Sequence, residues 1–287
     1  MSDRTSPIRR LRSRFRPRRR PRFQGPSFNR LIPNIMTLIG LCAGLTSIRF
    51  ALEERWEAAA IAIVIAAVID GLDGRLARLL KATSRFGAEF DSLSDFLCFG
   101  IAPALLMYLW SLSHAGPFGF VPCMTFAVCM ALRLARFNAA LGSGPRPAYA
   151  YNFFAGVPAP AGAGLALFPI FAWIEINGYG LTTLAAALRH PVLPALVLIG
   201  TALLCVSTLP VWSFKNFKVP THLVLPLMLG VAAYVAVLVS EPFGALAAAG
   251  LIYAAMLPYG ARSYRRLKAE ADRMIAPELV EDHSAAV

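Results

Sequence analysis

Four aspartates near the ends of two adjacent apolar stretches are the residues of this sequence best suited to chemistry. Asp70 and Asp73 lie three positions apart, and Asp91 and Asp95 lie four apart. Residues at either spacing share one face of a helix. Two neighbouring helices would therefore gather four carboxylates in one small volume. An ionised aspartate costs at least ~2.5 kcal/mol near the centre of a membrane helix, so its presence there usually marks a functional site.

Four negative charges so close together repel one another unless positive charge lies among them. The arginines near them in sequence are Arg75, Arg78 and Arg85, which leaves a need for cations. Oxygen-only ligands suit Mg²⁺ or Mn²⁺ better than zinc, and two such ions can bridge and polarise a pyrophosphate. The pattern predicts a centre of two divalent cations; the alternative is a set of solvated charges at helix ends. The predicted ligands are Asp70, Asp73, Asp91 and Asp95.

Small residues accompany the acids. Gly71, Gly74 and Ala77 remove bulk from the second apolar stretch beside its aspartates, which permits close approach by a helix or by phosphates. Gly87 is placed at the start of the third stretch, where backbone N–H groups are free. For any one of these glycines alone, tight helix packing is the simpler interpretation.

The segment from residue 70 to residue 95 resembles the signature of the CDP-alcohol phosphatidyltransferase family, D-x2-D-G-x2-A-R-x8-G-x3-D-x3-D. Every defining position is present. In this family the first three aspartates bind a two-metal centre. The resemblance implies that the fourth, here Asp95, contacts metal and also takes the proton from the attacking hydroxyl.

The same resemblance implies contacts to a cytidine-diphosphate lipid donor. Three signature residues would line its pocket, and a serine in the intervening turn matches a frequent phosphate contact. The motif in residues 33–37 is similar to the family's first-helix contact to the donor. The residues expected to bind the CDP-lipid are Asn34, Thr37, Gly74, Ala77, Arg78, Ser84 and Gly87.

Three further stretches resemble the branch of this family that uses L-serine as the acceptor. They are residues 91–104, 132–138 and 156–160. The resemblance implies transfer from CDP-diacylglycerol to L-serine, with release of CMP. Choline, glycerol phosphate and inositol phosphate remain alternative acceptors.

Basic residues are the candidates for binding the acceptor or a phosphate. Arg133 and Arg136 are three apart on one face, and guanidinium groups suit planar anions. Lys215 is a third candidate. For all three, the alternative is that they belong to the excess of Lys and Arg that cytoplasmic loops carry and bind no ligand.

The composition predicts that membrane helices position these residues. The chain is 57% hydrophobic with a mean hydropathy of +0.59, and its 15% of charged residues is well below the quarter (about 25%) of typical soluble domains. The apolar runs approach the roughly 20 residues that span a bilayer. We expect an all-α integral membrane protein of about eight helices, a six-helix family core plus two C-terminal ones. The predicted spans are residues 32–52, 56–80, 89–112, 118–141, 157–176, 192–211, 222–240 and 243–262.

Such a bundle with buried aspartates also suits a cation-coupled transporter. A transport path should carry polar groups through the midplane, whereas these acids cluster at one end. The transferase is therefore the better interpretation.

The charge distribution predicts the arrangement around the membrane. Much of the net charge of +12 lies in residues 1–30, an arginine-rich segment expected to be a disordered cytoplasmic tail on anionic headgroups rather than on nucleic acid. Residues 31–262 would form the catalytic domain and residues 263–287 a cytoplasmic tail. The bias of basic residues places both termini in the cytoplasm, at the inner membrane. The resemblance further implies a homodimer.

Overall fold

The computed structural model describes residues 28–80, 82, 84–140, 153–212 and 220–285. Within these ranges the chain is helical apart from turns and one short two-stranded ribbon. The elements in chain order are α1 (Phe28–Leu52), α2 (Trp56–Leu79), α3 (Arg85–Asp95), a π-helical segment (Phe96–Ile101), α4 (Ala102–Trp110), a 3₁₀ segment (Leu112–Gly119), α5 (Phe120–Ala140), β1 (Phe153–Ala155), α6 (Ala159–Ala166), α7 (Phe168–Gly178), α8 (Thr182–Arg189), α9 (Val192–Val206), β2 (Pro210–Trp212), α10 (Thr221–Ser240) and α11 (Pro242–Ala285).

The described helices confirm the prediction of an all-α, multi-pass membrane protein. Five are long and apolar enough to cross a bilayer, and the number rises to seven if each of two bent helix pairs is one span. The predicted span at residues 56–80 is α2. This helix is long enough to cross, but the charged residues of its second half keep it out of that count.

The predicted span at residues 157–176 is broken into two helices, α6 and α7, whereas the predicted span at residues 192–211 begins with α9 and is preceded by a further helix, α8, that the sequence did not predict. The pair α6 and α7 is bent by 44°, and the pair α8 and α9 is bent by 50°. Pro169 lies in the first turn of α7, and Pro191 immediately precedes α9. Because proline has no backbone N–H and clashes with the preceding turn, it ends one helix and starts another.

Helices α1 and α2 form a tight hairpin that brings the first two aspartates against α1. The Ser47 hydroxyl donates a hydrogen bond across the pair to the Ala59 carbonyl oxygen at 2.8 Å. Ala59, Ala60 and Ala66 of α2 are buried, as expected where small residues allow helices to pack closely in a membrane.

The third span is continuous but changes its winding immediately after Asp95. The Ala102 N–H donates to the Leu97 carbonyl oxygen, five residues back, which is the π-helical pattern. Pro103 follows and has no N–H to donate, so regular winding cannot be kept on both sides of it. A Cβ on Gly44 of α1 would lie only 2.5 Å from the Cys98 sulfur, which shows that the segment packs closely on α1.

A two-stranded ribbon departs from the sequence-based expectation of an all-helical chain, and the last helix is long. The ribbon pairs Phe153–Ala155 with Pro210–Trp212 in antiparallel register, and the sequence predicted no strand. Helix α11 runs from Pro242 to Ala285, so the expected tail boundary at residue 263 falls inside a helix. The Gly244 N–H at its start donates to the Glu175 carboxylate at 2.8 Å, which fixes α11 to α7. Most of the predicted arginine-rich tail, residues 1–27, lies outside the described residues.

Candidate active site

Three of the four predicted aspartates form one compact cluster. Helix α2 supplies Asp70, and α3 supplies Asp91 and Asp95. One carboxylate oxygen from each lies within 4.8 Å of the other two, and all three side chains are half-buried. A set of oxygen ligands at this spacing fits a hard divalent cation such as Mg²⁺ or Mn²⁺.

Asp73 lines the same small cavity as the cluster, but its carboxylate is turned toward α1. It is only 4% exposed and accepts a hydrogen bond from the Thr37 hydroxyl at 2.8 Å. A hydrogen bond to a charged group contributes about 1.5–3 kcal/mol, so this contact fixes the buried carboxylate at the edge of the cluster. The four acids therefore line one cavity. Three of them have carboxylate oxygens within 4.8 Å of one another, and the fourth is hydrogen-bonded to α1.

Ser84, Gly87 and Asn34 meet at the start of α3. The Ser84 hydroxyl accepts a hydrogen bond from the Gly87 N–H at 3.0 Å and so caps the helix. A Cβ on Gly87 would lie 2.9 Å from the Asn34 carboxamide oxygen and 3.0 Å from the Ser84 hydroxyl. Glycine is therefore required for Asn34 of α1 to approach this helix end. The sequence placed the start of the helix correctly to within a few residues.

The second half of α2 leaves an open face beside the acids. Gly74 and Arg78 are exposed, and Ala77 is half-buried. A Cβ on Gly74 would have no heavy atom within 4 Å, so the space over this residue is free for a ligand. The Arg78 Nε donates to the Gly74 carbonyl oxygen at 2.9 Å, which holds the guanidinium group along the same face.

Arg133 of α5 brings positive charge to the cluster. Its Nε donates to the Val157 carbonyl oxygen at 2.6 Å. Its guanidinium group acts electrostatically on Asp70 and Asp95. A half-buried arginine held in this way offers its remaining N–H donors to an anion near the acids.

Arg136, one turn further along α5, has different surroundings. Its guanidinium group donates to the carbonyl oxygens of Val206 at 2.6 Å, Ser207 at 3.0 Å and Ala155 at 3.1 Å. The side chain therefore ties the end of α9 to the β1 strand. Lys215, the third basic candidate, lies outside the described residues.

Sequence reasoning missed a polar contact beside the acids. The Asn138 carboxamide of α5 donates to the Ser92 hydroxyl at 2.9 Å, next to Asp91 on α3. Both residues belong to stretches that resemble the serine-using branch, but one sequence does not reveal that they pair. The contact fixes α3 against the helix that carries Arg133.

Comparisons with known proteins agree with this geometry. A family model described as CDP-alcohol phosphatidyltransferase matches residues 30–193. A second, described as CDP-alcohol phosphatidyltransferase 2, matches residues 222–258. The first match contains every residue of the aspartate cluster, together with Arg133.

Several curated proteins are similar over most of the chain. A protein of Mycobacterium leprae named CDP-diacylglycerol--serine O-phosphatidyltransferase is 40% identical over 250 residues, which cover 87% of this chain and 81% of the relative. A Mycobacterium tuberculosis protein of the same name is 41% identical over 237 residues, 83% of this chain and 80% of the relative. An archaetidylserine synthase of Methanothermobacter thermautotrophicus is 30% identical over 186 residues, 62% of this chain and 68% of the relative.

Proposed function

This chain belongs to the CDP-alcohol phosphatidyltransferase family, and from that premise we propose that it transfers the phosphatidyl group of CDP-diacylglycerol to L-serine. The products are phosphatidylserine and CMP. The observation that carries this proposal is the convergence of Asp70, Asp91 and Asp95 in a chain 40% identical to a named serine phosphatidyltransferase. The transporter alternative has no support in the family match.

The family is generally dependent on divalent cations, and the oxygen ligands of the cluster fit such ions. We assign two ions, Mg²⁺ or Mn²⁺, to Asp70, Asp73, Asp91 and Asp95. Bound cations neutralise the pyrophosphate and polarise the phosphorus under attack. Asp73 lines the same small cavity as the other three aspartates, which supports its assignment.

Asp95 is proposed to act as the base. It takes the proton of the serine hydroxyl as the hydroxyl oxygen bonds to the lipid-side phosphorus. The bond from that phosphorus to the bridging oxygen breaks, and CMP leaves with the electron pair. A carboxylate is a weak base toward an aliphatic hydroxyl, so correct orientation of the two reactants must supply much of the acceleration.

The donor headgroup is proposed to lie over the open face of α2 and the start of α3. The free space above Gly74 supports this placement, as does the capped N-terminus of α3, whose dipole favours a phosphate. The full set of proposed donor contacts is Asn34, Thr37, Gly74, Ala77, Arg78, Ser84 and Gly87.

Arg133 is proposed to bind the carboxylate of serine, because its positive charge acts on Asp70 and Asp95. Arg136 is instead assigned a positioning role through its three backbone contacts. Lys215 is retained as a candidate contact to the acceptor or a phosphate.

The chain is further proposed to lie in the inner membrane with both termini in the cytoplasm, as a homodimer. The basic residues near both ends of the sequence support this orientation. The arginine-rich N-terminal segment is proposed to lie on anionic lipid headgroups.

An acceptor panel tests the function directly. Purified protein with CDP-diacylglycerol and Mn²⁺ or Mg²⁺ is offered L-serine, choline, glycerol phosphate or inositol phosphate, and CMP release is measured. We expect release with serine. Release with another acceptor and none with serine would contradict the assignment.

The two arginines make a matched pair for a second test. Arg133→Ala is expected to raise the KM for serine about ten- to hundredfold, the equivalent of losing about 1.5–3 kcal/mol of charged hydrogen bonding. Arg136→Ala is expected to lower the thermal unfolding temperature in detergent, since three carbonyl oxygens lose their donor, while the KM for serine is retained. The opposite pattern would exchange the two roles.

A further inference from the structure

The Tyr253 hydroxyl of α11 is a buried polar group that has no hydrogen-bond partner in the described part of the chain. The residue as a whole is half-buried, and its apolar surroundings belong to α2, α6 and α11. Most buried polar side-chain atoms in proteins are hydrogen-bonded. An exception of this kind points to a partner that is not one of the described residues.

Arg133 of α5 is a charged neighbour of this hydroxyl. The two side chains interact electrostatically, and both also interact with the buried thiol of Cys205 on α9. The positive charge of Arg133 acts in addition on Asp95. The same guanidinium group therefore interacts with the aspartate cluster and with Tyr253, although α3 and α11 are far apart in sequence.

Arg133 has hydrogen-bond donors that remain available to a ligand. Its Nε is bonded to the Val157 carbonyl oxygen at 2.6 Å. Across the described ranges its two terminal amino groups form neither a hydrogen bond nor an ion pair with another residue. Charge that is partly withdrawn from water is stabilised by an opposite charge beside it. An anion next to Arg133 would also lie close to the unpartnered hydroxyl of Tyr253.

We propose that the Tyr253 hydroxyl is a second contact to the carboxylate of the serine acceptor, which it holds together with Arg133. The inference rests on the proposed function, which assigns that carboxylate to Arg133. A carboxylate has two oxygens with about four acceptor positions, so the guanidinium N–H groups can bind one oxygen while the phenol donates to the other. The buried hydroxyl thereby gains the acceptor that it lacks in the protein alone.

This contact makes α11 part of the acceptor site. Tyr253 lies within the family match over residues 222–258, whereas the acids and Arg133 lie within the match over residues 30–193. An alcohol without a carboxylate would leave both Arg133 and the Tyr253 hydroxyl unpaired in a buried place. Sites built to hydrogen-bond one substrate group reject analogues that lack it for this reason. Tyr253 therefore contributes to the preference for a carboxylate-bearing acceptor.

Tyr253→Phe tests the contact, because it removes the hydroxyl and keeps the ring. Steady-state CMP release is measured while L-serine is varied at saturating CDP-diacylglycerol and Mn²⁺, and then while the donor is varied at saturating serine. We expect the KM for serine to rise about tenfold, as for the loss of one hydrogen bond to a charged group. The turnover number and the KM for the donor should be retained, which is the signature of lost acceptor binding.

Tyr259→Phe is the matched control, because Tyr259 lies on the same helix but is 63% exposed. It should leave the KM values for serine and for the donor unchanged. The thermal unfolding temperature of each variant in detergent, without substrates, gives a second measurement. Removal of a buried hydroxyl that has no partner does not weaken the fold. Tyr253→Phe should therefore unfold at the same temperature as the unmodified protein or at a higher one.

An unchanged KM for serine in Tyr253→Phe, beside an active unmodified protein, would overturn the proposal and leave the proposed function intact. A raised KM for the donor alone would assign the hydroxyl to the lipid substrate and also overturn it. A lower unfolding temperature would show that the hydroxyl already has a partner within the protein, with the same consequence. No CMP release with serine by the unmodified protein would instead contradict the function itself.

Discussion

Replacement of Asp95 by asparagine is expected to lower kcat for CMP release by about 10²–10⁴-fold, the range that general acid–base catalysis contributes. Asparagine has nearly the same shape and can still place one oxygen near the cluster, but it cannot accept the serine proton. Asp70 and Asp91 remain beside it. The KM for CDP-diacylglycerol should therefore change little.

The measurement is steady-state CMP release at saturating donor, serine and Mn²⁺, together with donor binding to the variant. Glu89→Gln is the matched control, because Glu89 is an exposed acid on the same helix and does not belong to the cluster. Near-normal turnover of Asp95→Asn would show that another group takes the proton. A loss of donor binding equal to the loss of turnover would make Asp95 a binding residue only.

The second large effect is expected for Asp91→Asn. Asp91 contributes one of the three converging oxygens, and an amide oxygen is a weaker ligand for a hard cation than a carboxylate. Changes to groups that only support metal ligands already cost about 10–100-fold in metal affinity or activity. We therefore expect the Mn²⁺ or Mg²⁺ concentration for half-maximal activity to rise at least about tenfold.

This prediction is checked by titrating metal into chelator-treated protein and measuring CMP release. Part of the lost activity should return at high metal concentration, which separates a ligand from a base. Glu89→Gln again serves as the control and should keep the original titration midpoint. An unaltered midpoint for Asp91→Asn would remove Asp91 from the proposed metal set.

The spacing of the aspartates was sufficient to predict their convergence but not the direction of each side chain. Residues three apart on a helix differ by about 60° around its axis. Asp70 and Asp73 therefore share a broad face and still meet different neighbours. Asp70 faces the acids of α3, whereas Asp73 meets Thr37 of α1. Which neighbour lies at each angle depends on packing between helices, which spacing within one helix does not encode.

The same reason explains why Arg133 and Arg136 received the same predicted role. Their surroundings differ because β1 and β2, separated by more than fifty residues in sequence, pair beside Arg136. Hydropathy is likewise a local property of the sequence. It located the apolar runs, but it did not predict the bends at Pro169 and Pro191. A run of apolar residues reports burial in lipid and carries no information about the direction of the axis.

The π-helical turn that follows Asp95 separates two tasks within one membrane crossing. Each residue of a regular helix advances the side-chain direction by about 100°, so an extra residue in a turn shifts the phase of everything beyond it. The acidic face of α3 and the anchoring face of α4, with its buried Trp110 and Leu106, are thereby set at independent angles. The change of helical phase at the π-helical turn thus lets α3 direct its acids toward the substrates while α4 stays packed in the apolar interior.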